Sequence, residues 1–118
     1  MTPEELKART KKFSVDVLKF AKRSIAPGGI DGAIAAQLTD AAGATGAGYR
    51  SACRARSRAD FVYKLGNTIE EVDEAAFWLE VLIESDMVQE AVARPLWREA
   101  DELTRILVRS RETARKPG

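Results

Sequence analysis

The chain has 118 residues, 45% of them hydrophobic and 31% charged, with a formal net charge of +1. That is one domain, 1–118, with a modest core and a composition suited to a helical globular protein. It contains no histidine and one cysteine, Cys53, which removes the commonest general base, metal ligand and pH switch and precludes an intramolecular disulfide.

The N-terminus is charged and lacks an apolar stretch of signal-peptide length. No run approaches the ~18 apolar residues of a membrane span. The expected setting is therefore cytoplasmic, with no membrane partner. The charge is unevenly spread: residues 59–92 hold nine acids against Lys64, whereas 1–24, 50–58 and 93–118 are basic. Two readings stay open, charge pairing within or between subunits and a surface for polyanions.

A first helix is predicted over about 3–25. Thr2 is its N-cap, Pro3 sits where no amide is needed, and Glu5 closes a capping box. Leu6, Phe13, Val17, Phe20 and Ser24 mark its buried face, and Pro27-Gly28-Gly29 ends it. A second helix is predicted over about 30–54, nearly bare of bulk. Its glycines at 43, 46 and 48 each cost about 1 kcal/mol relative to alanine, so close approach of neighbouring backbones is expected to offset them. A glycine-rich break near 43–48 is the alternative. The segment Gly43-Ala44-Thr45-Gly46-Ala47-Gly48 lacks both the Lys-Ser/Thr ending and the preceding strand of a phosphate loop.

Ser57 caps a third helix over about 58–86, with Asp60 three residues on. Phe61, Leu65, Ile69, Val72, Ala76, Leu79 and Ile83 supply one apolar stripe at helical spacing. Phe77, Trp78, Val81 and Leu82 are left over, with Glu80 the one charge among them. Surplus apolar surface points to a second partner, most simply another copy of the chain. Those five residues are the expected oligomer interface, with Glu80 pairing to a neighbour's arginine. A loop over 87–93 leads to a fourth helix over about 94–115, starting at Arg94-Pro95. Leu96, Ala100, Leu103 and Leu107 form its inner stripe, and it ends in the basic tail Arg115-Lys116-Pro117-Gly118. The fold class is all-α, an up-and-down antiparallel four-helix bundle.

The run Ser57-Arg58-Ala59-Asp60-Phe61-Val62-Tyr63-Lys64-Leu65-Gly66 is followed by Glu70-Glu71-Val72-Asp73-Glu74 and Phe77-Trp78-Leu79-Glu80-Val81-Leu82-Ile83-Glu84. With Glu99-Ala100-Asp101-Glu102-Leu103 and Ile106-Leu107, these segments resemble the 23S ribosomal RNA intervening-sequence proteins, and more distantly the accessory protein of diversity-generating retroelements. The resemblance implies an antiparallel four-helix bundle assembled into a homo-oligomeric ring, commonly a pentamer. For the retroelement relatives it also implies nucleic-acid and reverse-transcriptase partners. Where the family commonly has Asn-Ile-Ala-Glu-Gly, this chain has Gly48-Tyr49-Arg50-Ser51-Ala52.

Candidate chemistry is sparse. The acids of helix 3 invite comparison with dimetal carboxylate bundles, but those need Glu-x-x-His pairs, so no metal and no cofactor is expected. Cys53 has no histidine partner and reads as a helix-packing residue. With no nucleophile–base pair the chain is expected not to be an enzyme. Arg50, Arg54, Arg56 and Arg58 are the strongest cluster, since four guanidiniums so close repel one another unless anions are near. With Lys12 and Lys19 they form the candidate nucleic-acid-binding set for RNA or DNA. Tyr49 and Tyr63 flank them as candidate base-stacking platforms. The alternative is a protein-interaction scaffold whose arginines are neutralised by carboxylates of helix 3.

Overall fold

Four helices form where local chemistry starts and stops them. The computed structural model describes residues 1–117; Gly118, the end of the basic tail, lies outside the described residues. The helices are α1 (Pro3–Ser24), α2 (Gly29–Cys53), α3 (Arg58–Glu84) and α4 (Glu90–Arg115). No strand occurs among the described residues.

At the start of α1 the Thr2 hydroxyl accepts from the Glu5 amide at 3.1 Å, and the Glu5 carboxylate accepts from the Thr2 amide at 3.3 Å. Both halves of the capping box are present. Ser57 Oγ accepts from the Asp60 amide at 3.0 Å, while Asp60 accepts from the Arg56 amide at 3.1 Å, one residue before the cap. That amide, helped by Lys64 and opposed by partial burial, holds the Asp60 carboxyl below its ordinary range. The first turn is made by Gly28 and Gly29, both at positive φ (77° and 60°). Helix α3 stops two residues earlier than the spacing predicts. There Asp86 takes φ 62°, with its amide bonded to Ile83 O and the Met87 amide to Leu82 O. This is a Schellman closure with Asp in the position glycine favours.

Helix α4 begins at Glu90, a full turn before the predicted Arg94-Pro95. Pro95 therefore lies inside the helix, where it removes one backbone bond. The extra turn seats Ala93, which is fully buried, and the Gln89 carbonyl receives the amides of Val92 and Ala93.

Consecutive helices run antiparallel. Ser14 Oγ donates to the Ala42 carbonyl at 2.6 Å across α1–α2, and Trp97 Nε1 donates to Glu80 at 2.8 Å across α3–α4. Arg9 holds α1 to α4 with two 2.7 Å bonds to the Glu99 carboxylate and a 3.2 Å contact to Glu102. A bidentate guanidinium–carboxylate pair of this kind is geometrically specific. Beside it the α1–α4 seam opens into a groove of ≈ 630 Å³ over Leu6, Tyr49, Phe61 and Ile106. Phe13, Val17, Leu38, Leu65, Leu79, Leu82, Leu103 and Leu107 fill the core.

Helix α2 is continuous through its glycines; Gly46 has the expected role against a neighbouring backbone, whereas Gly48 makes room for a side chain. A Cβ at Gly46 would stand 3.2 Å from the Thr10 carbonyl and 3.3 Å from Lys11 Cα of α1; at Gly48 it would stand 2.6 Å from Thr68 Oγ1 of α3. Gly43 has nothing within 4 Å, so close packing does not explain it. Thr10, not singled out by the hydrophobic pattern, is fully buried with its hydroxyl returned to the Leu6 carbonyl. Ser24 is only partly covered.

Candidate nucleic-acid interface

The turn between α2 and α3 gathers cations at one end of the bundle. Arg50 and Arg54 close α2, Arg56 lies in the turn and Arg58 opens α3; all four are exposed. Among the described residues, no carboxylate comes within 4.0 Å of any of their guanidiniums. The neutralisation by helix 3 considered from the sequence does not occur within the chain. The acids in this corner are engaged otherwise: Asp60 by the Arg56 amide and Lys64, Glu4 by Lys7, and Glu5 by the Thr2 amide.

The fold adds residues that linear spacing could not. Arg58 Nη1 donates to the Lys116 carbonyl at 3.2 Å, so the end of α4, with exposed Arg115 and Lys116, joins the arginine corner. By contrast, Lys12 and Lys19 are not part of it. Both are exposed on α1, but Lys12 is paired with Asp16. Lys19 lies seventeen residues beyond the Thr2 cap, or ~25 Å along the helix. The six predicted residues thus divide into an arginine end and two separate lysines.

Of the two tyrosines, only Tyr63 is free to stack. It is exposed on α3, whereas Tyr49 is 2% exposed in the core. Burial, then the neighbouring Cys53, pushes the Tyr49 phenol above its ordinary range. Tyr49 continues the in-phase series Leu38, Ala42, Thr45 and Ala52 that faces inward on α2, so it is a packing residue. Cys53 reverses the expectation in the other direction: it is exposed at the last turn of α2, not packed between helices. Among the described residues, no group of three or more His, Cys, Asp or Glu is arranged to hold a metal ion, and no helix is long and apolar enough to cross a membrane.

A crystal structure of a protein of unknown function from the S23 ribosomal protein family of Bacteroides thetaiotaomicron VPI-5482 matches this arrangement with a TM-score of 0.85. The match covers 95% of this chain and 99% of that one at 24% sequence identity. The two proteins share a fold. The resemblance to intervening-sequence proteins carried by α3 and α4 is thus met by a structural neighbour from the S23 family. No family model matches the chain, and no curated protein matches it by sequence.

The five residues expected at an oligomer interface are not one surface. Leu82 is fully buried within the subunit, because α3 packs on α2 and α4 together and buries a wider arc than a single stripe. Trp78 is half-buried beside Phe77, the rings meeting edge to face with centroids 5.0 Å apart. Glu80 accepts from Trp97 Nε1 within its own chain, which engages one of its two carboxylate oxygens. Arg94 in turn lies 5.2 Å over the Trp97 ring. Val81 is half-buried, and Phe77 is exposed.

Around Phe77 the outer face of α3 carries Glu70, Asp73, Glu74 and Glu84, all exposed and, among the described residues, without a cation within 4.0 Å. Glu71, turned toward α2, has its carboxyl raised above the ordinary range by burial and then by Glu74, Glu70 and Asp40.

Proposed function

We propose that this chain is a non-catalytic bundle that assembles with copies of itself and holds nucleic-acid phosphate on the arginine end. One observation carries the reading: Arg50, Arg54, Arg56 and Arg58 stand exposed and, among the described residues, without a carboxylate within 4.0 Å, although nine acids lie on the segment that follows. Guanidiniums gathered without carboxylates suit planar, bidentate capture of phosphate oxygens. Arg115 and Lys116 widen the patch, and exposed Tyr63 offers a ring to an unpaired base. Repetition around an oligomer multiplies a weak single contact. The S23 neighbour carries a ribosomal family name with its own function unknown. That name supports an RNA setting and suggests no mechanism.

The test is a titration with single-stranded RNA over a range of salt. Affinity should fall linearly on a log–log scale, with a slope of about −0.7 per phosphate contacted. Replacing Arg54, Arg56 and Arg58 together by Ala should flatten that slope. Absence of binding at low salt, or a response indifferent to salt, overturns the reading.

A second reading, a protein-interaction scaffold without nucleic acid, draws on exposed Phe77 among Glu70, Asp73, Glu74 and Glu84, which have no cation within 4.0 Å among the described residues. An apolar, acidic face repels phosphate and suits a basic protein surface. A reverse transcriptase, suggested by the retroelement resemblance, is one such partner. An association unaffected by nuclease and by the arginine substitutions would favour this reading.

A further inference from the structure

We propose that copies of this chain join head to tail, the outer face of α1 on one copy seating against the outer face of α3 on the next. This rests on the self-assembly reading above and specifies the surfaces that carry it. On α1, Lys11, Val15, Leu18 and Lys22 lie together on the outward side, with Val15 42% and Leu18 52% exposed. Neither lysine has a carboxylate within 4.0 Å among the described residues. On α3 the matching set is Glu74, Phe77, Val81 and Glu84, with Phe77 52% exposed and both carboxylates unpaired among the described residues. Each face has an apolar centre with a charge on either side, and the two faces carry charges of opposite sign.

The two faces point away from each other. Helices α1 and α3 each pack on α2 and α4 and occupy opposite corners of the bundle. A contact between them is therefore heterologous. It closes into a ring only when successive copies rotate without climbing along the axis.

The packing inside one copy fixes the relative heights. Ser14 meets Ala42 and Gly48 meets Thr68, and α1 and α3 run in the same direction. Val15 and Leu18 therefore stand at about the level of Ala75 and Trp78. Lys11 and Lys22 are ~16 Å apart along the axis, and Glu74 and Glu84 ~15 Å. Setting Lys11 against Glu74 and Lys22 against Glu84 brings Val15 and Leu18 onto Phe77 and Val81. The axial slip this needs is ~4 Å, less than one helical turn. A slip so small is absorbed by tilting the bundles, which favours a closed ring over a filament.

The experiment compares four full-length chains by light scattering coupled to gel filtration at matched concentration: wild type, Lys11→Glu/Lys22→Glu, Glu74→Lys/Glu84→Lys, and the fourfold combination. Every altered position is exposed, and circular dichroism checks that each variant remains helical. The expected result is an assembled wild type, two double variants that fall to the 13.0 kDa of a single chain, and a fourfold variant that reassembles.

If the wild type assembles and either double variant keeps its mass, the pairing is overturned while self-assembly stands. The same holds if the double variants dissociate but the fourfold exchange fails to restore the oligomer. Loss of RNA binding by Lys11→Glu/Lys22→Glu with its mass unchanged would assign the α1 face to nucleic acid and overturn the pairing. A wild type of single-chain mass at every concentration removes the self-assembly reading itself.

Discussion

The glycines of α2 offer the sharpest test of the packing, because the structure gives two of them opposite signs. At Gly43 a Cβ would meet nothing within 4 Å, so Gly43→Ala gains only helix propensity, about 1 kcal/mol. At Gly46 the same methyl would stand 2.6 Å from Ser14 Oγ, 3.2 Å from the Thr10 carbonyl and 3.3 Å from Lys11 Cα. Two of those atoms are backbone, and Ser14 Oγ is itself held by the Ala42 carbonyl at 2.6 Å. Helix α1 must therefore retreat. Overpacking of this kind costs roughly 1–3 kcal/mol, of which the gain in helix propensity offsets only about 1 kcal/mol.

Gly46→Ala should thus lose about 1 kcal/mol while Gly43→Ala gains about the same, separating their melting temperatures by about 8 °C. Thermal melts and urea titrations at one fixed protein concentration check this, since assembly makes Tm depend on concentration. Equal stabilisation by both substitutions would refute the close α1–α2 crossing. Destabilisation by Gly43→Ala would show that something seats on the open side of α2, against the interface proposed between α1 and α3.

Asp86→Gly relieves the one non-glycine positive φ among the described residues and should stabilise by about 1 kcal/mol in urea titration. Trp97→Phe removes the donor to Glu80 and should cost about 1.5 kcal/mol, the lower end for a bond to a charged group that is only partly buried. Because its surroundings raise the Glu71 pKa in the fold, protonated Glu71 favours the folded state and its ionisation weakens it. Glu71→Gln should therefore raise the urea midpoint at pH 7, and the gain should shrink as pH falls through the folded-state pKa and vanish below the unfolded-state one. Arg56→Ala should lower the salt slope of RNA binding by about one phosphate contact and leave thermal stability unchanged.

Features set by neighbours along the chain are legible in the sequence alone. The Thr2–Glu5 box, the Ser57 cap and the Gly28-Gly29 turn each depend on groups within three residues. The start of α4 is not legible, because Gln89 provides no side-chain cap and Pro95 imitates a first-turn proline. Leu82 is misplaced by counting one buried stripe on a helix that faces two neighbours. Tyr49 does carry a signal, its phase with Leu38, Thr45 and Ala52, hidden by the small residues around it. The arginine corner is legible as a cluster, but Arg115 and Lys116 reach it through the α3–α4 pairing. Lys12 and Lys19 are basic like the corner yet lie along α1, a separation that composition does not report.

Photo-crosslinking of the wild-type chain to a 4-thiouridine-bearing RNA, with the adducts mapped by mass spectrometry, locates the surface that meets nucleic acid. Adducts confined to the peptides spanning Arg50–Tyr63 and the end of α4 are the predicted result. Adducts concentrated along Lys11–Lys22 of α1, or none at low salt, would contradict it.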